Sequence, residues 1–113
     1  MIVINLTQNT ILCRHTEIAD TFFSRARGLL GRKSLPMDAG MVITRCQSIH
    51  MFFMKFSIDV VFIDNAGIVV GAVTSIKPWR LSPVFWKAAK VIELPEKTIE
   101  KTKTKVGDCL EIK

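Results

Sequence analysis

No stretch of this chain approaches the roughly 18–20 uninterrupted apolar residues that a membrane-spanning helix requires, so a helical span is excluded. The N-terminus, Met1-Ile-Val-Ile-Asn-Leu-Thr7, has neither a basic residue nor a long apolar core, and no cleaved leader is expected. Cysteine is scarce. Cys13, Cys46 and Cys109 cannot all pair within one chain, and none falls in a Cys-x-x-Cys unit. The expectation is three reduced thiols packed as small hydrophobes, which together with the missing leader points to the cytoplasm. Internal repeats and linker-like segments are absent, and so is a Gly-x-Ser-x-Gly elbow. Arginines interleaved with exposed aromatics are not expected, which argues against nucleic acid as a partner. Nothing in the sequence calls for a cofactor.

What is present is ordinary globular composition: 113 residues, 49% hydrophobic and 23% charged, enough for one domain over residues 1–113 with one core. The net charge of +6 is uneven. Residues to Asp64 contribute seven basic and five acidic side chains, and those from Asn65 contribute nine and five. Much of the later excess lies in Glu96-Lys-Thr-Ile-Glu-Lys-Thr-Lys-Thr-Lys105, where a helix would align Lys97, Lys101 and Lys105 on one face. Such a face suits association with anionic lipid or RNA, although most lysine runs are simply solvated.

β-Branched residues in Ile2–Leu6 and Ile11–Ile18, separated by the polar Thr7-Gln-Asn-Thr10, predict an N-terminal hairpin. Asp20 is placed to cap a helix carrying Phe22, Phe23, Ala26, Leu29 and Leu30 at helical spacing, with Gly31 as its stop. Short strands are expected at Met41–Thr44, Ile58–Ile63, Ile68–Ile76, Lys90–Leu94 and Cys109–Ile112. The turn Asp64-Asn-Ala-Gly67 should set the second and third of these antiparallel, and Pro95 suits the first turn of a short helix. The fold class is α+β, mostly β: a small curled antiparallel sheet or barrel-like domain with one or two short helices packed on it.

The most distinctive stretch is Ser48-Ile-His-Met-Phe-Phe-Met-Lys-Phe-Ser-Ile-Asp59, which fits neither an amphipathic helix nor an alternating strand. Phe53-Met54-Lys55, with Ile58-Asp59 and Phe62-Ile63-Asp64, resembles the signature of the prokaryotic family catalogued as domain of unknown function 192. Further landmarks of that family are matched in order by Arg25–Gly31, Gly40-Met41, Gly67, Pro78, Glu93-Leu94 and Gly107-Asp108. Many relatives place tryptophan before the core methionine and asparagine after its lysine, where this chain has Phe53 and Phe56. The resemblance implies a compact β-rich fold and no particular activity.

Three constellations suggest chemistry. Ser48, His50 and Asp59 contain the residue types of a hydrolase, but side chains two apart on a strand sit too far apart for nucleophile and base to meet. Cys13 with His15, and Cys46 with His50, would make a zinc set if folding joined the pairs, and Met51 and Met54 beside His50 would suit Cu(I). Arg27, Lys55 and Asp59 read either as a structural ion pair, Arg27 with Asp59, or as a cationic pocket rimmed by His50 and aromatics.

The leading expectation is a non-catalytic binding module. It would take a small anionic ligand or a protein segment through Arg27, Ser48, His50, Phe53, Met54, Lys55 and Asp59. The alternatives are a small hydrolase with His50 as general base and Asp59 as its orienter, and a Zn or Cu(I) site built from the Cys, His and Met residues.

Overall fold

Val60-Val-Phe-Ile63 offers no polar position to turn toward water, so the strand containing it needs cover on both faces. The computed structural model, which describes residues 1–113, supplies that cover. β5 (Ile58–Ile63) is buried at all six positions and lies inside a five-stranded sheet. Its companions are β3 (His15–Ala19), β4 (Ala39–Thr44), β6 (Val69–Ile76) and β7 (Lys90–Pro95), in the order β3-β4-β7-β5-β6. A second sheet has the order β2-β1-β8, from β1 (Val3–Asn5), β2 (Thr10–Cys13) and β8 (Leu110–Ile112). Two short helices, α1 (Phe22–Arg27) and α2 (Thr98–Thr102), complete the mostly β fold. The two sheets remain open rather than closing into a barrel.

Strand alternation sorts the core into two clusters. Val61, Ile63, Ile92 and Leu94 pack with Val3, Leu12, Leu110 and Ile99, beneath the small sheet and α2. Ile58, Val60, Phe62 and Val91 pack on the opposite face with Leu29, Ile49, Met51 and Met54.

This second cover contains no regular strand. Segments 45–57 and 77–89 run side by side as an irregular ribbon. Trp79 N–H donates to the Met51 carbonyl (2.8 Å), Met51 N–H to Arg80 (2.8 Å) and Phe85 N–H to Gln47 (2.8 Å). Ser82 N–H donates to Ile49, whose own N–H donates to Ser82 Oγ at 2.9 Å. The backbone polar groups of a buried non-sheet segment are thereby satisfied. Gly71 admits the ribbon to the sheet. The Phe85 ring lies against Phe62 with centroids 4.4 Å apart, and a Cβ at position 71 would collide with that ring at Phe85 Cε1.

Two buried aspartates fasten the layers. Asp59 accepts Ser75 N–H and Ile99 N–H, both at 2.9 Å, which ties β5 to β6 and to the start of α2. Asp108 accepts from Asn5 Nδ2 (3.0 Å), Gln8 Nε2 (3.1 Å) and Lys105 N–H (3.1 Å), which closes the small sheet.

Several expectations are corrected. β1 and β2 do form the antiparallel hairpin, but the predicted second arm splits at Arg14. Its latter half becomes β3, which joins the other sheet parallel to β4. Helix α1 is capped by Thr21, whose hydroxyl accepts Ser24 N–H at 3.1 Å, and it ends at Gly28 instead of Gly31. Pro95 finishes β7 and lies outside the next helix. Lys97 and Lys103, with φ of 73° and 58°, bracket a helix of only five residues, so no Lys97–Lys101–Lys105 helical face forms.

The Gly71→Ala substitution should destabilise the protein by about 1–3 kcal/mol, the usual cost of overpacking, in urea denaturation. In a Phe85→Ala background the same substitution should cost much less, because the clashing ring is gone.

Candidate functional site

Glu93 is the one charged side chain inside Val91-Ile-Glu-Leu94, on the central strand β7. Its neighbours across the sheet are Met41 on β4 and Val60 on β5. Alternation turns it to the face covered by α1 and the ribbon, where it is 5% exposed. Gly28 ends α1 with φ of 49° and ψ of −126°, a conformation reserved for glycine, and so lays bare backbone close over the carboxyl. A Cβ at Gly28 would lie 3.5 Å from Glu93 Oε1.

Glu93 opens onto a cavity of about 210 Å³. One wall is Arg25 to Leu30, from the end of α1 and the turn after it. The other is Cys46, Ser48, Ile49, His50 and Met54 from the ribbon, with Ile43 of β4 beside them. Two buried side-chain polar atoms in the whole protein have no hydrogen-bond partner, Glu93 Oε1 and Arg25 Nε, and both residues line this cavity. Burying a polar atom unpaired costs about 1–3 kcal/mol, so two such atoms at one cavity are a costly arrangement.

Burial pushes the Glu93 carboxyl up to about 7, against a smaller opposing pull from Arg32. Arg32 itself is engaged by Glu17 in a two-pronged pair at 2.6 and 2.9 Å. Near neutrality Glu93 therefore exchanges a proton, and as a neutral acid it can donate as well as accept. Burial raises the Cys46 thiol, against the smaller opposing effect of its bond to Ser48, with the charge of Glu93 adding a lesser push upward. Its Sγ donates to the Ser48 carbonyl at 3.0 Å, so Cys46 lines the site as a thiol. His50 Nδ1 accepts Phe52 N–H at 3.2 Å, which places the proton of the neutral ring on Nε2.

Of the residues singled out from sequence, Arg27, Ser48, His50 and Met54 line the cavity. Phe53 and Lys55 are exposed on the outside of the ribbon. Asp59 stands apart, fully buried with both oxygens held by backbone N–H groups. The expected Arg27–Asp59 ion pair does not form, and Asp59 makes no hydrogen bond to His50. Its side chain is spent on joining β6 and α2, so it does not serve as an orienter. The joining of Cys13 and His15 to Cys46 and His50, on which the zinc alternative depended, does not occur either. Cys13 is packed in the opposite core cluster, and no three His, Cys, Asp or Glu side chains converge. Glu93 and Arg25 were missed as site residues. A signal for Glu93 existed, since a glutamate within an apolar strand of a two-faced sheet has no solvent side to occupy.

Residues 3–112 match the family model described as Uncharacterized ACR, domain of unknown function 192. A UPF0127 protein of Pyrococcus horikoshii is 38% identical over 114 residues, covering 94% of this chain and 94% of the relative. One from Pyrococcus abyssi is 39% identical, covering 97% and 96%. Among solved structures, a protein of unknown function from Novosphingobium aromaticivorans superimposes with a TM-score of 0.83 at 22% identity, over 98% of this chain and 83% of that one. A putative transcription regulator from Sinorhizobium meliloti gives 0.78 at 22% identity, over 97% and 89%. At that identity the likeness concerns the fold.

The raised Glu93 carboxyl fixes the sign of a pH effect. The unfolded chain ionises this group near the ordinary glutamate value, whereas the folded protein holds its proton to about pH 7. Its contribution to stability is thus greatest below the unfolded value, falls across the interval up to about 7, and is flat above. The Glu93→Gln protein should match the wild type in urea denaturation at the acid end. At pH 8 it should exceed it by about 3 kcal/mol, from 1.36 kcal/mol per pKa unit.

Proposed function

This chain belongs to the domain-of-unknown-function 192 family, and from that premise we propose that it is a binding module whose cavity takes a small carboxylate or similar anion. One observation carries the reading. The unpartnered atoms at the cavity are a guanidinium N–H on Arg25 and a carboxyl on Glu93 that is half protonated near pH 7. A carboxylate ligand that draws these side chains into the cavity can accept from a guanidinium N–H of Arg25 or from the Glu93 O–H. Arg27 adds a second positive charge, and Ser48 and His50 add further hydrogen-bonding groups at the wall. Ile49, Leu29 and Met54 provide an apolar surface for a short organic body.

The cavity volume limits the guest. About 210 Å³ lies below the roughly 300 Å³ at which pockets for drug-sized ligands begin, so the fitting ligand has amino-acid dimensions or less. A folded protein segment is too large for it. Nothing about the Cys46 thiol supports covalent catalysis, because burial keeps it protonated. Cys13, Cys46 and Cys109 are all free, which supports a reducing, cytoplasmic setting.

Anion binding to the protonated acid links affinity to pH. Binding should weaken about tenfold per pH unit above 7, because each unit removes tenfold of the competent Glu93 acid form. Melting temperature should be followed with acetate, lactate, glycine, glutamate and inorganic phosphate at pH 6 and pH 8. At least one should raise it, and more at pH 6. Glu93→Gln should keep the binding and lose its pH dependence, and Arg25→Ala with Arg27→Ala should abolish the shift. No shift from any of these anions, stronger binding at pH 8, or a shift that survives loss of both arginines would overturn the reading.

A further inference from the structure

The outward side of the ribbon differs from the cavity beneath it. Its inner residues Ile49, Met51, Met54 and Ala88 are buried. On the outside, Phe53 is 70% exposed, Trp79 59%, Leu81 67% and Trp86 77%. Two of these side chains are held outward by backbone that only glycine adopts readily. Phe53 has φ of 65° and Trp79 has φ of 70°. Their rings meet edge to face with centroids 4.8 Å apart, and Phe52 lies 6.0 Å from Trp79 on the other side. Displaying a cluster of large apolar side chains on strained backbone works against solubility and stability alike.

Charge identifies what the cluster meets. Arg45, Lys55, Lys77, Arg80 and Lys87 are exposed on the same two segments. No acidic residue occurs between Arg45 and Ile58, or between Asn65 and Ile92. The flanking acids are engaged elsewhere: Asp59 is buried on backbone N–H groups, and Asp64 caps its own turn through Ala66 and Ile68 N–H. The two segments that carry the exposed apolar cluster therefore also carry exposed cations and no acidic side chain.

We infer that this face docks on an anionic lipid surface, with Phe53, Trp79, Leu81 and Trp86 entering the headgroup region and the surrounding lysines and arginines on lipid phosphates. Aromatic side chains favour that boundary, where an apolar body and a polar edge are both accommodated. Juxtaposed cations supply the long-range attraction. Single-stranded nucleic acid is the weaker match. Leu81 has no ring for a base to stack on, and the Phe53, Phe52 and Trp79 rings are already turned against one another. The inference is independent of the cavity, since none of these four side chains lines it.

The protein's two tryptophans, Trp79 and Trp86, both lie on this face, so native fluorescence reports on it directly. Vesicles of phosphatidylcholine with phosphatidylglycerol should shift the emission to the blue. Brominated acyl chains in the same vesicles should quench it. Pure phosphatidylcholine should do neither. In flotation, Lys55→Ala and Lys87→Ala should each weaken association about fivefold, and Trp79→Ser with Trp86→Ser should abolish it. Unquenched fluorescence, equal association with neutral vesicles, or binding of oligouridylate without binding of vesicles would overturn the inference. So would undiminished flotation of the double tryptophan variant. The quenching measurement uses the unaltered protein and so does not depend on any variant folding.

Discussion

A sheet with apolar residues on both faces must be covered twice, and the shape of the molecule is set by how that is done. β5 and β7 form its centre, and alternation along them sends side chains into two separate cores. On one side a second, smaller sheet and α2 provide a regular cover, locked by hydrogen bonds to Asp59 and Asp108. On the other side the cover is an irregular ribbon. A ribbon without a continuous ladder has to satisfy its own backbone, which explains Ser82 Oγ under Ile49 N–H and Gln47 Nε2 on the Trp86 carbonyl. The same irregularity leaves space beneath it. The cavity therefore sits where a helix end and a loop ribbon meet above the five-stranded sheet, and no third regular layer fills it.

The three buried acids sort by what they touch. Asp59 and Asp108 have their oxygens on protein donors; Asp59 holds strands to helix, and Asp108 closes the small sheet. Glu93 is buried to a similar degree and has an oxygen with no partner. Burial of all three carries a desolvation penalty, and only for the aspartates does the protein offset it by hydrogen bonding. That contrast separates fasteners from a site. It also reverses the ranking suggested by the sequence, in which Asp59 stood among candidate site residues and Glu93 served only as a family landmark.

Most strands were legible because period-two alternation and turn residues act locally: β5, β6, the Asp64–Gly67 turn and β8 fall where those signals place them. Where the outcome was set at long range, the reading failed. Nothing local marks Arg14 as the point where one apolar run leaves one sheet and joins another. The exposed Phe22 and Phe23 imitate an amphipathic helix, yet α1 stops at Gly28 because the chain there must cross above Glu93. In the segment Ser48–Lys55, composition was informative and direction was not. Met54 and His50 reached the cavity while Phe53 and Lys55 faced out, a split decided by pairing with residues 77–89 some thirty positions away.

Helix α1 buries none of its six residues; its capping box and the core anchor Leu29, just past its end, hold it in place. Elements with so little packing of their own belong to the least protected units of a fold, the ones whose amides exchange with solvent long before the core opens. The wall carrying Arg25 and Arg27 can thus come away while the sheet, Glu93 and the ribbon stay in place. A guest held between that wall and the sheet would pin the helix end and slow amide exchange along α1.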